Sequence, residues 1–83
     1  MAVRTTPDAE VDLRKVPTTI KARLLGVLDR LDRWPNVSGA KALTGDWGGH
    51  YRIRTGDWRV VFRVDGSDVV IVRIMHRSKV YED

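Results

Sequence analysis

The chain has 83 residues, no cysteine, 15 Lys and Arg against 11 Asp and Glu, a net charge of +4 and 42% apolar content. That composition describes one small globular domain and excludes a disulfide framework or a cysteine-ligated zinc module. The amino-terminal stretch MAVRTTPDAEVDL has three acids and no apolar run, and the longest aliphatic run is VVIV at residues 69–72, so no signal peptide or membrane span is expected and the protein is read as cytoplasmic.

After a short extended start at Ala2 to Thr5, Thr6 followed by Pro7 reads as a helix N-cap with proline in the first helical position. Asp8 and Glu10 fall in the first turn, where the helix dipole favours acids, and Ala9, Leu13 and Val16 form one apolar stripe. Pro17 ends that helix. Thr18 or Thr19 is expected to cap a second helix whose stripe Ile20, Leu24, Val27, Leu28, Leu31 and Trp34 runs to Pro35. Gly26 inside it lowers helix stability by about 1 kcal/mol relative to alanine, which suggests close approach of another backbone.

Residues 35–50, PNVSGAKALTGDWGGH, read as an irregular connection anchored by Val37 and Leu43. From Tyr51 the apolar period changes from 3.6 to 2. Tyr51 to Thr55, Trp58 to Val64 and Val69 to Met75 predict a three-stranded antiparallel meander divided by Gly56-Asp57 and Asp65-Gly66-Ser67. The fold class is therefore α+β: a short N-terminal strand and a two-helix antiparallel hairpin packed on one face of an antiparallel β-sheet meander.

A two-residue turn at Gly56-Asp57 pairs Thr55 with Trp58, Arg54 with Arg59, Ile53 with Val60 and Tyr51 with Phe62. Tyr51, Ile53, Trp58, Val60, Phe62 and Val64 then share the core face, and Arg52, Arg54, Arg59 and Arg63 share the other. A three-residue loop at Asp65 to Ser67 would put Arg73 opposite Arg59 and send Val70, Val72 and Ile74 to the core. Arginine supplies 11 of the 15 cations, and its planar donor fork matches phosphate oxygens. Arg54 directly against Arg59 is unfavourable for stability alone, which an anion on that face would resolve. The alternative is that the methylene stems cover the sheet and the heads stay in water.

Trp58 has core parity, and Trp47 is undecided between packing and stacking. His50 and His76 are too far apart in sequence, with no cysteine between them, to suggest a metal site, and no phosphate-cradling glycine loop or nucleophile elbow occurs. Arg77 and Tyr81, in the ending HRSKVYED, leave the last strand at the rim of the arginine face. Tyr81 there either stacks on a base or hydrogen-bonds a phosphate or ribose hydroxyl, or else packs on the strand ends.

From VRTTPDAEVDLRKVP through KALTGDWGGHYRIRTGDWRVVFRV to IMHRSKVYED, the chain resembles the RelE/ParE superfamily of toxins from type II toxin–antitoxin modules. The specific part is the hairpin YRIRTGDWRVVF with its HRxxVY-like ending. The resemblance implies the RelE-like fold and, for RelE-like members, metal-independent mRNA cleavage without a cofactor, mostly in the ribosomal A site. ParE-like members instead poison DNA gyrase. The RelE-like site residues match Arg52, Arg54, Arg59, Arg77 and Tyr81 here, with Lys41, Arg63 and Arg73 as further substrate-binding cations. The implied chemistry is attack of a ribose 2′-hydroxyl on the adjacent phosphate. Arg52, Arg54 and Arg59 would stabilise charge, Arg77 would hold the phosphate or leaving oxygen, and Tyr81 would orient the nucleotide. Arg52 and Arg54 stand where the prototype has lysines, and a guanidinium does not accept a proton near neutrality. His76 is accordingly a candidate acid, base or phosphate donor. The expected partners are a cognate antitoxin, acidic where it meets the toxin, mRNA with the ribosomal A site, and operator DNA reached only through the antitoxin complex.

Overall fold

The computed structural model describes residues 1–79. Strand β1 (Ala2–Thr5) leads into helix α1 (Pro7–Lys15), whose cap is Thr6: its backbone is extended and its hydroxyl oxygen accepts the Ala9 N–H at 3.2 Å. The same residue ties the helix start to the sheet, because its N–H donates to the Ile71 carbonyl at 3.0 Å and its hydroxyl to the Val72 carbonyl at 3.1 Å. Val16 then turns extended before Pro17, as the proline ring requires.

Helix α2 (Thr18–Arg30) differs from expectation at both ends. Pro17 is its N-cap, without a side-chain cap bond, and the Pro17 carbonyl accepts from Ile20 and Lys21; Thr18 is already helical. The ring of Pro17 presets φ at the helix start, so neither threonine needs to cap. At the far end, the chain tightens into a 3-10 turn at Leu31–Arg33, and Trp34 is extended ahead of Pro35. Trp34 nonetheless reaches the core, with ring centroids 4.7 Å from Tyr51 and 5.3 Å from Phe62. A Cβ at Gly26 would meet nothing within 4 Å, so the expected close backbone approach is absent.

The meander β3 (His50–Thr55), β4 (Trp58–Asp65) and β5 (Asp68–His76) is the centre of a five-stranded sheet ordered β1-β5-β4-β3-β2. Two edge strands extend what the sequence predicts. β1 pairs with β5 in parallel, and β2 (Lys41–Ala42), within the stretch expected to be irregular, pairs antiparallel with β3. A 3-10 turn at Gly45–Trp47 completes that connection. Leu43 is buried and Val37 packs against the core, as anticipated.

The β3–β4 register is the predicted one throughout. The β4–β5 register is not. The turn is two residues, with Asp65 opposite Asp68 and Gly66 at φ 61°, and the pairing shifts between Val61 and Phe62, leaving Val72 as the extra residue. A bulge of this kind exchanges the two faces beyond it. The two-residue turn therefore sends Val69 and Ile71, and the bulge sends Ile74, to join Phe62, Val60 and Ile53 against Ala9, Val16, Leu24, Val27 and Leu31, while Val70 and Val72 stay outside that cluster. Arg73 lies opposite Val61, and Arg59 faces Met75 instead. Among the described residues, no helix is long and apolar enough to cross a membrane.

Candidate nucleic-acid interface

Gly56, at φ 59°, allows the tight turn that locks β3 against β4, and the resulting register opposes Arg54 to Arg59, Arg52 to Val61 and His50 to Arg63. Lys41 of β2 lies opposite Arg52. Paired residues point to one side of a sheet, so Lys41, His50, Arg52, Arg54, Arg59 and Arg63 share the face away from the helices. Its floor includes Val61 and Val70, only 1% and 2% exposed. Arg52 and Arg59 are themselves just 4% and 6% exposed, so they do not follow the pattern of stems on the sheet and heads in water. Arg59 Nη1 donates to the Gly56 and Trp58 carbonyls at 3.2 and 3.3 Å, which aims the guanidinium along the hairpin tip. Arg54 and Lys41 are exposed, and Arg63 is half-buried.

Arg77 continues the register one step past β5. Its N–H donates to the Asp57 carbonyl at 2.7 Å, and its Nε lies 3.6 Å from an Asp57 carboxylate oxygen. It therefore stands exposed at the hairpin tip, with the parity of Arg59 and Met75. Arg73 is engaged elsewhere: its Nε and Nη2 donate to the two Asp12 oxygens at 2.8 and 3.2 Å. That hydrogen-bonded pairing, against an opposing desolvation effect, holds the Arg73 guanidinium above its ordinary pKa, with the charges of Asp12 and Asp8 adding to it. Tyr81 lies outside the described residues.

The two histidines part company. His76 lies opposite Trp58, with ring centroids 5.4 Å apart at 88°, on the helix-bearing face. There it lines a cavity of about 210 Å³ with Asp12, Lys15 and Trp58. The register does not bring it to Arg54 and Arg59. His50 takes a place on the arginine face that the sequence reading did not assign to it. Its ring meets Trp47 edge-on at 5.3 Å and 82°. The alternation of β3 was the available signal: His50 has the parity of Arg52 and Arg54.

A family model for the ParE toxin of the type II toxin–antitoxin system parDE matches residues 3–81. The chain belongs to this toxin family. The toxin is 35% identical over 82 residues to Toxin RelG of Mycobacterium tuberculosis, covering 95% of this chain and 93% of RelG. It is 27% identical over 75 residues to Toxin RelE3 of Methanocaldococcus jannaschii, covering 86% and 84% of the two chains. Its fold superposes with a TM-score of 0.80 on a chain of the RelBE2 toxin–antitoxin complex of Mycobacterium tuberculosis, at 34% identity over 92% of this chain and 96% of that one. The toxin is thus a RelE/ParE superfamily member with the helix pair and mixed sheet of a RelE-like toxin.

Proposed function

We propose that this toxin is an mRNA endoribonuclease that arrests translation, with the arginine face as its RNA-binding surface. The observation that carries this reading is the convergence of Arg52, Arg54 and Arg59 on one side of the β3–β4 hairpin, two of them buried. Planar donor forks held rigidly in a partly desolvated place suit a phosphodiester whose oxygens gain charge as the bond is exchanged. In this reading a ribose 2′-oxygen attacks the adjacent phosphorus and the 5′-oxygen leaves, without metal or cofactor. Arg52, Arg54 and Arg59 stabilise the phosphoryl oxygens, while Arg77 at the hairpin tip holds the phosphate or the leaving oxygen. Lys41 and Arg63 extend the positive track along the strand. Tyr81 would orient the nucleotide. Holding the 2′-oxygen in line is a large part of such a rate enhancement, and the ribosomal A site is the natural place to supply it.

The relatives named RelG and RelE3 favour the RelE-like branch, and the solved RelBE2 complex supports a cognate antitoxin as the physiological partner. An antitoxin segment rich in acids would cover the arginine face, and operator DNA would be reached through that complex in the cytoplasm. The second reading, a gyrase poison without nuclease activity, draws on the parDE description of the matching family model.

One experiment separates them. The toxin is induced in bacteria without antitoxin, and new 5′ ends are mapped on a reporter mRNA with an intact or mutated start codon, alongside plasmid supercoiling. Cuts within codons that vanish with the start codon are the expected result. Growth arrest with altered supercoiling and no cuts would transfer the assignment to gyrase.

A further inference from the structure

Guanidinium groups can bind and stabilise the phosphate but cannot take the proton that the 2′-hydroxyl must lose near neutral pH. Resting on the ribonuclease reading, we propose that His50 is the general base of this toxin, acting through Nε2. His50 and His76 are its two histidines, and the structure gives them opposite hydrogen-bonding states as well as opposite faces. His50 Nδ1 lies 3.3 Å from the Gly48 carbonyl oxygen. A carbonyl only accepts, so in the neutral ring Nδ1 carries the hydrogen and Nε2 keeps its lone pair. His76 is the reverse: its Nδ1 is taken up by Ser78, whose Oγ lies 3.0 Å away and whose backbone N–H donates to it at 3.3 Å, so in the neutral ring that accepts this bond the hydrogen is on Nε2 and the lone pair faces Ser78.

The ring of His50 is held rather than loose. Gly49, at φ 83°, turns the chain tightly into β3, and the Trp47 ring stands edge-on to the imidazole. The charged groups around it are those a phosphodiester would engage. Arg63 is directly opposite on β4, and Lys41 on β2 lies across from Arg52. Arg52 itself is two positions along β3, roughly 7 Å away. Asp46, in the 3-10 turn that carries Trp47, is exposed and is the nearest acid in sequence. A phosphate gripped between Arg52 and Arg63 would put the preceding ribose beside His50.

The step balances without a co-reactant. The 2′-oxygen bonds to phosphorus as its proton passes to Nε2, the bond from phosphorus to the 5′-oxygen breaks, and that oxygen takes a proton from solvent. The products are a 2′,3′-cyclic phosphate and a 5′-hydroxyl, and the imidazolium returns its proton to water.

The test measures single-turnover cleavage of one mRNA, free and in the ribosomal A site, across a pH series around neutrality, from about pH 5 to pH 9. Wild type is compared with His50→Gln, whose amide stands near the place of Nε2 but takes up no proton near neutral pH, and with His50→Ala. His50→Gln is expected to slow cleavage by about 100-fold or more, with unchanged RNA affinity and without the acid limb of the rate profile. Added imidazole should restore part of the rate to His50→Ala. Cleavage by His50→Gln at the wild-type rate with the wild-type acid limb overturns the proposal, as does a rate loss matched by an equal loss of RNA affinity. No cleavage by wild type under either condition removes the ribonuclease reading itself, and the proposal with it.

Discussion

Asp12 accepts three hydrogen bonds across the α1–β5 junction, two from the Arg73 fork and one from the Ile74 N–H at 2.9 Å. One carboxylate thereby fastens α1 to the half of β5 that β1 does not cover, since β1 pairs only with Asp68 to Ile71. Asp12→Ala should lower stability by about 1.5–3 kcal/mol, the usual value for hydrogen bonds to a charged group. A shift in the urea midpoint measures it. Because the pairing raises the Arg73 pKa, Arg73's share of this stability is present below its ordinary value and is lost only in strong alkali. Arg73 should accordingly add no pH dependence to unfolding near neutrality.

Arg54 and Arg59 are directly opposed in the hairpin ladder. Like charges so placed cost a fraction of a kcal/mol, and surface substitutions usually change stability by no more than about 0.5 kcal/mol. Arg54→Ala should therefore leave the unfolding midpoint almost unchanged while weakening RNA binding. The slope of log affinity against log salt should fall by about one contact. A strongly destabilised Arg54→Ala with unaltered salt dependence would assign the residue to the fold instead.

Arg59→Ala removes a guanidinium that the Gly56 and Trp58 carbonyls hold in place. Loss of growth arrest is expected, with the circular dichroism spectrum of the wild type retained. Full toxicity in this variant would count against the arginine face as the working surface.

Gly56 sits at φ 59°, and a Cβ there would approach Arg23 Nη1 to 3.2 Å. Arg23 can swing aside, so the main effect of Gly56→Ala is the left-handed backbone, about 1–2 kcal/mol. Thermal unfolding should show that loss, and RNA binding should fall with it because this turn holds Arg54 against Arg59.

Phe62 is fully buried, with the Trp34 ring edge-on at 5.3 Å and the Tyr51 ring stacked at 5.6 Å. Phe62→Ala should cost about 3–5 kcal/mol, a large share of the stability of so small a domain. Loss of the cooperative thermal transition, with no change specific to RNA, is the outcome to look for.

Much of this toxin is written locally in its sequence. Thr6 and Pro7 start α1 through a side-chain cap and a preset φ, Pro17 and Pro35 end their segments through backbone sterics, and Gly56-Asp57 closes a two-residue hairpin. The closed hairpin dictates that Arg52, Arg54 and Arg59 share one face, so the centre of the candidate site follows from spacing alone. Tertiary structure decided what depends on distant partners. β1 contacts a strand more than sixty residues away, and the two residues of β2 become a strand only against the edge of β3. The two-residue turn at Gly66 carries Ile71 into the core, and the extra residue at Val72 then reverses the alternation of β5, bringing Ile74 to the core and His76 toward Trp58, while Arg73 is drawn to Asp12. Side-chain parity propagates from a turn only while the ladder is regular, and a bulge is settled by packing against helices that the strand's own sequence does not describe. The place of His50 belongs to both: its parity was local, but the hydrogen bond that leaves Nε2 available depends on how the chain turns at Gly48 and Gly49.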